Sequence, residues 1–289
     1  RAATIERLQN WLLEVEDSSV VVLARSGGDL IGGLILCRTG PKKLEINPGT
    51  LGGHPLVSRN ADQKEVGRQL IQEAISWSLK EGFEFLQIWL QRDTKEDNHL
   101  HAEYAAWYGS LGFSVSGISV DMICILAEQK AMEISIPQGF QVKKVGELPE
   151  DSLYQCYHDA FQAGDAQFFF EQNEKERRQY FNTLGIRGSL NNGASLALMK
   201  HQEIVGFTFV VPYGEGNLHL SCICIHPSFA QRGLGKLLLL LTMQKAIDQG
   251  IQTMTLYTDT EIRAFELYRK NGWTATKQYI KYQWKANNG

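Results

Sequence analysis

Four landmarks appear twice along this sequence, in the same order, and that repetition limits the folds open to it more than any single motif does. "VVVLARSGGDLIGGLILC" (Val20 to Cys37) matches "ASLALMKHQEIVGFTFVV" (Ala194 to Val211): each reads as a strand, a polar turn and a second strand carrying Gly32 or Gly206. Gly67 and Gly82 bracket one apolar, helix-like run, and Gly235 and Gly250 bracket another at the same separation. "WYGSLGF", ending at Phe113, matches "LYRKNGW", ending at Trp273; each has Tyr, three residues, Gly and an aromatic. Two copies of one domain are expected, over residues 1–130 and 139–289. The polar stretch "EQKAMEISIPQG", with Pro137 and Gly139, links them.

The second copy is the easier to parse. "GFQVKKV" reads as a strand, and "EDSLYQCYHDAFQ" and "NEKERRQYFNTL" have helical spacing. "SLALMK" and "IVGFTFVVPY" are strands joined by the turn "HQE", and "LHLSCICI" is a further strand stopped by Pro227. A helix is expected from Gly233 to Gln249, with Leu234, Leu237, Leu238, Leu241 and Ala246 on its buried stripe. "TMTLYT" is a strand, "EIRAFELYRKN" a helix stopped by Gly272, and "KQYIKYQW" a closing strand. Hairpins come first and a crossover helix follows. The expected class is therefore α+β (α/β layered), each copy a mixed, mostly antiparallel twisted sheet flanked by helices.

Charge and composition narrow the function. A net charge of −3 argues against a nucleic-acid or anionic-membrane binder, which needs a basic excess. The longest strongly apolar run, Leu237 to Met243, is far too short to span a bilayer. The first residues lack the apolar core of a signal peptide. Five scattered cysteines do not make a disulfide framework, so a reducing cytoplasm is the expected compartment. Cys222 and Cys224, with His219 or His226, are metal-ligand types. Their alternation with Ile223 and Ile225 instead puts both sulfurs on one strand face as small buried groups, and no metal is expected.

The turn "HPSFAQRGLGK" joins a strand to a helix. Helix starts expose unpaired N–H groups and a partial positive charge, and glycine lets a ligand phosphate approach the backbone. From His226 to Lys236 the turn carries Arg232 and Lys236 and no acid, which suits a diphosphate. It lacks the P-loop pattern, and Leu238 stands where a dinucleotide fingerprint has its third glycine.

"CICIHPSFAQRGLGKLLLLL" followed by "AFELYRKNGW" resembles the GNAT superfamily of acyl-CoA-dependent N-acyltransferases. The resemblance covers residues 139–289 in element order and 1–130 more weakly. It implies tandem GNAT-like domains and acetyl-CoA as co-substrate. It also implies that backbone of Ile223, Cys224 and Ile225 pairs with the pantetheine amides. Backbone from Gln231 through Arg232, Gly233, Leu234 and Gly235 to Lys236 would then wrap the pyrophosphate. Tyr268 falls near the thioester sulfur as general acid. Two positions depart from the pattern: Ala230 stands at its Gln-or-Arg position, and Glu261 where an asparagine is frequent.

Acyl transfer to an amine needs a base as well. "LHLSCICIHPSF" is similar to the corresponding strand of arylalkylamine acetyltransferases, which implies a proton relay beginning at His219, with Ser221 at the second relay position. The same position suits a histidine facing solvent at a strand end. Glu215 and His226 are weaker candidates, His226 reading as structural. The implied acceptor is a small-molecule or peptide amine over "AGDAQFFFEQ". There Phe168, Phe169 and Phe170 either line a pocket, with Asp165 or Glu171 attracting the amine, or belong to the core of an early helix. The first copy keeps Tyr108 but places Asp62 and Glu65 at its turn, where like charge opposes a diphosphate. It is expected to bind acyl-CoA poorly or not at all, with a loop around "DTKEDNHLH" before its last helix. No nucleic-acid or membrane partner is expected, and the chain suits a monomer or homodimer. The alternative is a non-catalytic acyl-CoA sensor or interaction module that keeps the turn and has lost the proton chemistry.

Overall fold

The computed structural model describes residues 19–47, 53–93, 98–129, 134–164, 166–170, 172–184 and 193–286. They divide into two compact units, Arg1–Ser119 with Lys277–Gly289, and Val120–Thr276. These units do not follow the contiguous copies expected from the repeat, residues 1–130 and 139–289. The reason is strand pairing: residues 277–285, at the end of the second copy, run antiparallel to Phe85–Asp93 of the first, from Lys277 opposite Asp93 to Lys285 opposite Phe85.

In the first unit, β1 (Val20–Ser26) and β2 (Asp29–Gly40) form a hairpin closed by Gly27 and Gly28. β3 (Lys43–Ile46) pairs antiparallel with β2 and parallel with β5 (Phe85–Asp93), and the short β4 (Leu56–Val57) returns to β2. Two helices, α1 (Gln63–Lys80) and α2 (Asn98–Ser110), lie before and after β5, and β6 (Phe113–Ile125) follows. The core joins Leu34, Leu36, Leu44, Ile88 and Leu90 of the strands to Leu70, Ile71 and Ala74 of α1 and Tyr108 of α2. The loop expected around "DTKEDNHLH" is shorter than the sequence suggested, because Asn98 already begins α2; residues 94–97 lie outside the described residues.

The second unit has the strand order β6-β11-β10-β9-β8-β7, with β7 Phe140–Lys144, β8 Leu196–Lys200, β9 Glu203–Pro212, β10 Asn217–Ile225 and β11 Thr253–Asp259. β12 (Thr274–Lys285) begins here, where the Thr274 hydroxyl donates to the Ile123 carbonyl. His201 and Gln202 both take positive φ in the expected "HQE" turn, since left-handed residues match the twist of a two-residue hairpin.

Helices cover both faces of this sheet. α3 (Glu150–Gln162), the single turn α4 (Gln167–Phe170) and α5 (Glu174–Thr183) cover one face, packing Tyr157, Phe169 and Phe181 against Phe207 and Phe209. α6 (Leu234–Asp248) covers the other. α6 buries Leu234, Leu238, Leu239, Thr242, Met243 and Ala246, with Leu237 and Leu241 partly buried: the buried stripe is wider than expected and leans toward Met243, because two clusters flank it. α7 (Arg263–Lys270) ends the βα pattern. Among the described residues no helix is long and apolar enough to cross a membrane.

Candidate functional site

Strand β10 changes face halfway along. Leu218 and Leu220 pack with Leu239, Met243 and Ala246 of α6, as alternation requires. Two residues on, Cys222 and Cys224 lie on the opposite side, among Tyr157, Phe169 and Phe181, while Ile223 and Ile225 turn toward Leu234 and Leu238. The inversion occurs at Ser221, where the ladder with β9 slips: Leu220 faces Val210, and Cys222 faces Phe209. One extra residue in a strand does this, and it bends the strand.

The bend opens the sheet. β10 and β11 are parallel partners at Asn217–Thr253, Leu218–Met254 and His219–Thr255, and pairing stops there although both strands continue. From Leu220 to Ile225 the edge of β10 facing β11 carries no ladder, and the wedge leads to the turn before α6. His226 opens that turn, its N–H donating to Val205 O at 2.7 Å. Pro227–Phe229 makes one 3-10 turn, Gln231 takes φ 60°, and Gly233 is the helix N-cap at φ 76°. Among the described residues no side chain caps α6, whose N-cap is itself a glycine. The first internal bond found is Leu237 N–H to Gly233 O, so the amides of Leu234, Gly235 and Lys236 point out of the helix start. A Cβ built on Gly233 meets nothing within 4 Å, so its glycine serves the left-handed backbone. Arg232 lies exposed, its guanidinium 5.6 Å from the centre of the Phe229 ring.

Tyr268 on α7 is 6% exposed, and its ring lies 5.9 Å from that of Trp273. Burial, with Cys222 adding to it, pushes its phenol well above the usual range. His219 is half-buried at the last β10–β11 pair, its Nδ1 3.0 Å from the Thr255 hydroxyl and its ring 5.7 Å from that of Tyr213. Burial lowers its pKa from 6.5, with Asp121 opposing. The Ser221 hydroxyl is committed to carbonyls, with Leu184 O at 2.6 Å and Phe209 O at 3.3 Å, and so anchors the end of α5 to the bulge.

Sequence reasoning missed Tyr180 of α5. Its side chain is exposed at the surface overall, while desolvation around the phenol pushes its pKa up, with Cys222 and Asp259 adding to it. The signal in the sequence was a tyrosine beside Phe181 on an amphipathic helix, which reads first as packing. Phe169 is fully buried in the core and Phe170 is exposed. Asp165 and Glu171 lie outside the described residues, as does the side chain of Phe168. Cys222 and Cys224 are buried free thiols, and no three His, Cys, Asp or Glu among the described residues are grouped to hold a metal.

Residues 151–273 match the sequence profile of the Acetyltransferase (GNAT) family, and these residues contain the wedge, the turn and Tyr268. They form a GNAT-family domain. The fold extends that likeness to the whole chain. It is similar to a GCN5-related N-acetyltransferase from Sphaerobacter thermophilus, at 16% identity and TM-score 0.65, covering 97% of this chain and 85% of that one. It is also similar to a tandem GNAT protein from the clavulanic acid biosynthesis pathway, at 14% identity and TM-score 0.61, covering 95% and 86%. A GNAT-family acetyltransferase from Colwellia psychrerythraea matches at 14% identity and TM-score 0.54, covering 99% and 97%. No curated protein sequence matches.

Outside the GNAT domain, the first copy has the corresponding helix start and tyrosine in a different state. Asp62 caps α1, its Oδ1 accepting from Lys64 N–H at 3.1 Å and Glu65 N–H at 3.0 Å. Gly53, at φ 76°, presses on β5 so closely that a Cβ would collide with the Trp89 carbonyl oxygen. His54 follows it, and its Nδ1 meets the Tyr108 hydroxyl at 2.8 Å. Tyr108 is fully buried, and its phenol is pushed far up by that burial.

Proposed function

We propose that the GNAT domain moves an acetyl group from acetyl-CoA to a primary amine by direct attack, and that the first copy does not bind the carrier. The observation that supports this is the parting of β10 from β11 beyond His219–Thr255, beside a helix start that no side chain among the described residues caps. An unpaired strand edge suits an amide-bearing chain, and a helix start with free amides suits a diphosphate. Those are the two halves of coenzyme A. Backbone of Ile223, Cys224 and Ile225 would receive pantetheine, and backbone from Gln231 to Lys236 the pyrophosphate.

Acetyl-CoA supplies an activated acyl group as its thioester. The chain's own residues do the rest. Holding amine and thioester in one wedge replaces a collision with a positioned contact. Tyr268, like any phenol, carries its proton at neutral pH and can pass it to the departing thiolate, whose conjugate acid has a pKa of about 8.5; its burial works against that transfer rather than for it. Burial keeps His219 neutral at the same pH, able to take a proton from the incoming ammonium. A backbone N–H near Ile225 stabilises the oxyanion.

The test is release of free thiol from acetyl-CoA in the presence of a panel of small primary amines and peptide N-termini. Turnover with at least one amine is expected. Acyl-CoA binding without turnover across the panel would favour the sensor reading.

A further inference from the structure

Resting on the acyl-carrier reading of the turn, we propose that Asp159 is a positioning residue that fixes the tautomer of His226, and through it the turn that receives the diphosphate. His226 stands between the last residue of β10 and Pro227. Its Nδ1 accepts from Ser228 N–H at 3.3 Å, which makes it the side-chain cap of the Pro227–Phe229 turn. A ring nitrogen that accepts carries no proton, so in the neutral ring the proton sits on Nε2. That nitrogen faces Asp159 Oδ2 of α3 at 3.5 Å. The backbone repeats the tie: Phe229 N–H donates to His226 O at 2.9 Å and Ala230 N–H to Pro227 O at 3.1 Å. One imidazole therefore joins the strand end, the turn and α3. The Phe229 ring, 6.3 Å away, is its other neighbour.

Asp159 is itself held in place. Its Oδ1 accepts from the Gln155 amide at 2.9 Å and lies 3.4 Å from His158 Nδ1, leaving Oδ2 to His226. The Gln155 amide, helped by His158 and His226 against the opposing effect of burial, holds the carboxyl below its usual range. Behind it, His158 Nε2 lies 3.6 Å from Glu174 Oε2, and Tyr154 donates to Glu174 at 2.7 Å. A carboxylate fixed on a helix and aimed at one imidazole nitrogen sets which nitrogen keeps the proton. Loss of that carboxylate frees the ring to place its proton on Nδ1, where it can no longer accept from Ser228. The residues displaced would be those leading into Gln231 and Gly233.

The test combines imidazole nitrogen NMR with calorimetry on the full chain. In the wild type, His226 should report as the Nε2–H tautomer, and in Asp159→Ala as a mixture; Asp159→Asn serves if the alanine variant does not fold. Coenzyme A should bind Asp159→Ala up to about tenfold more weakly, the scale of losing the one hydrogen bond from Ser228 to His226. Pantetheine, which lacks the diphosphate, should bind both proteins alike. In a His226→Phe background, Asp159→Ala should add less than about twofold, because the two act as one unit. An unchanged tautomer, an unchanged coenzyme A affinity, an equal loss for pantetheine or fully additive losses would overturn the proposal. A wild type that does not bind coenzyme A would instead overturn the reading of the turn, while the tautomer measurement, which needs no ligand, still decides whether Asp159 governs His226.

Discussion

At the start of α6 no side chain among the described residues accepts from the helix amides; at the start of α1 the carboxylate of Asp62 accepts from two of them. The difference runs the length of both sites. Beside α6, the edge of β10 runs free of β11 for six residues, Leu220 to Ile225. Beside α1, backbone at Gly53 packs onto Trp89 of β5, and His54 reaches Tyr108, the repeat partner of Tyr268. In the first copy the chain supplies an anion at the helix start, backbone against the strand and a polar partner for the tyrosine. Each takes a role that coenzyme A is proposed to take in the second. On the proposed reading, a repeat keeps its fold, which needs apolar cores and left-handed turns, while its site, which needs polar groups left for a ligand, is filled from within.

The largest effect expected is at the α6 turn. Gly235→Glu sets a carboxylate beside the proposed diphosphate site, and a Cβ there meets Ile225 and Leu267 only at ordinary contact distance. Coenzyme A affinity measured by calorimetry should fall about a hundredfold or more. Next come the paired tyrosines. Tyr268→Phe should lower kcat by about a hundredfold while acyl-CoA affinity holds, the pattern of a lost proton donor. Tyr108→Phe should leave kcat unchanged and cost about 1 kcal/mol of stability in denaturant melts, the worth of its bond to His54. Equal effects at the two tyrosines would break the comparison.

His219 sharpens it through pH. Its lowered pKa means that the folded ring stays neutral below pH 6.5, where the unfolded ring is already protonated. Its contribution to stability is therefore present above that pH and declines on acidification through the folded value. Activity should follow the same sense: kcat/KM should drop on an acid limb below about pH 6.5. His219→Gln should be slower at neutral pH and lack that limb. The smallest effect belongs to Asp62→Ala. It should destabilise the protein by about 1 kcal/mol, as for loss of a helix cap. It should confer no coenzyme A binding on the first copy, because Gly53 and Glu65 remain; a second binding event in that variant would show that the cap alone closes the site.

Much of this was written locally in the sequence. The helices, the hairpins and the turn before α6 follow from short-range patterns, as do Gly233 and Tyr268 within their motifs. What escaped depends on partners distant along the chain. The swap of residues 277–285 onto β5 could not be read, because any apolar strand of the right length satisfies that pattern. The bulge at Ser221 could not be read either, since alternation from Leu218 to Cys224 looks unbroken until the register with β9 is known. Asp62 was read as a charge opposing phosphate, and its hydrogen bonds to Lys64 and Glu65 give it a more direct role as an internal cap. His54 and Tyr180 left no signal beyond ordinary aromatic packing.

The most direct measurement of the contrast between the copies is the stoichiometry of coenzyme A binding to the whole chain by calorimetry, repeated on Gly235→Glu. One molecule per wild-type chain and no saturable binding to the variant is the expected result. Two molecules per chain, or one whose affinity is untouched by the substitution, would contradict it.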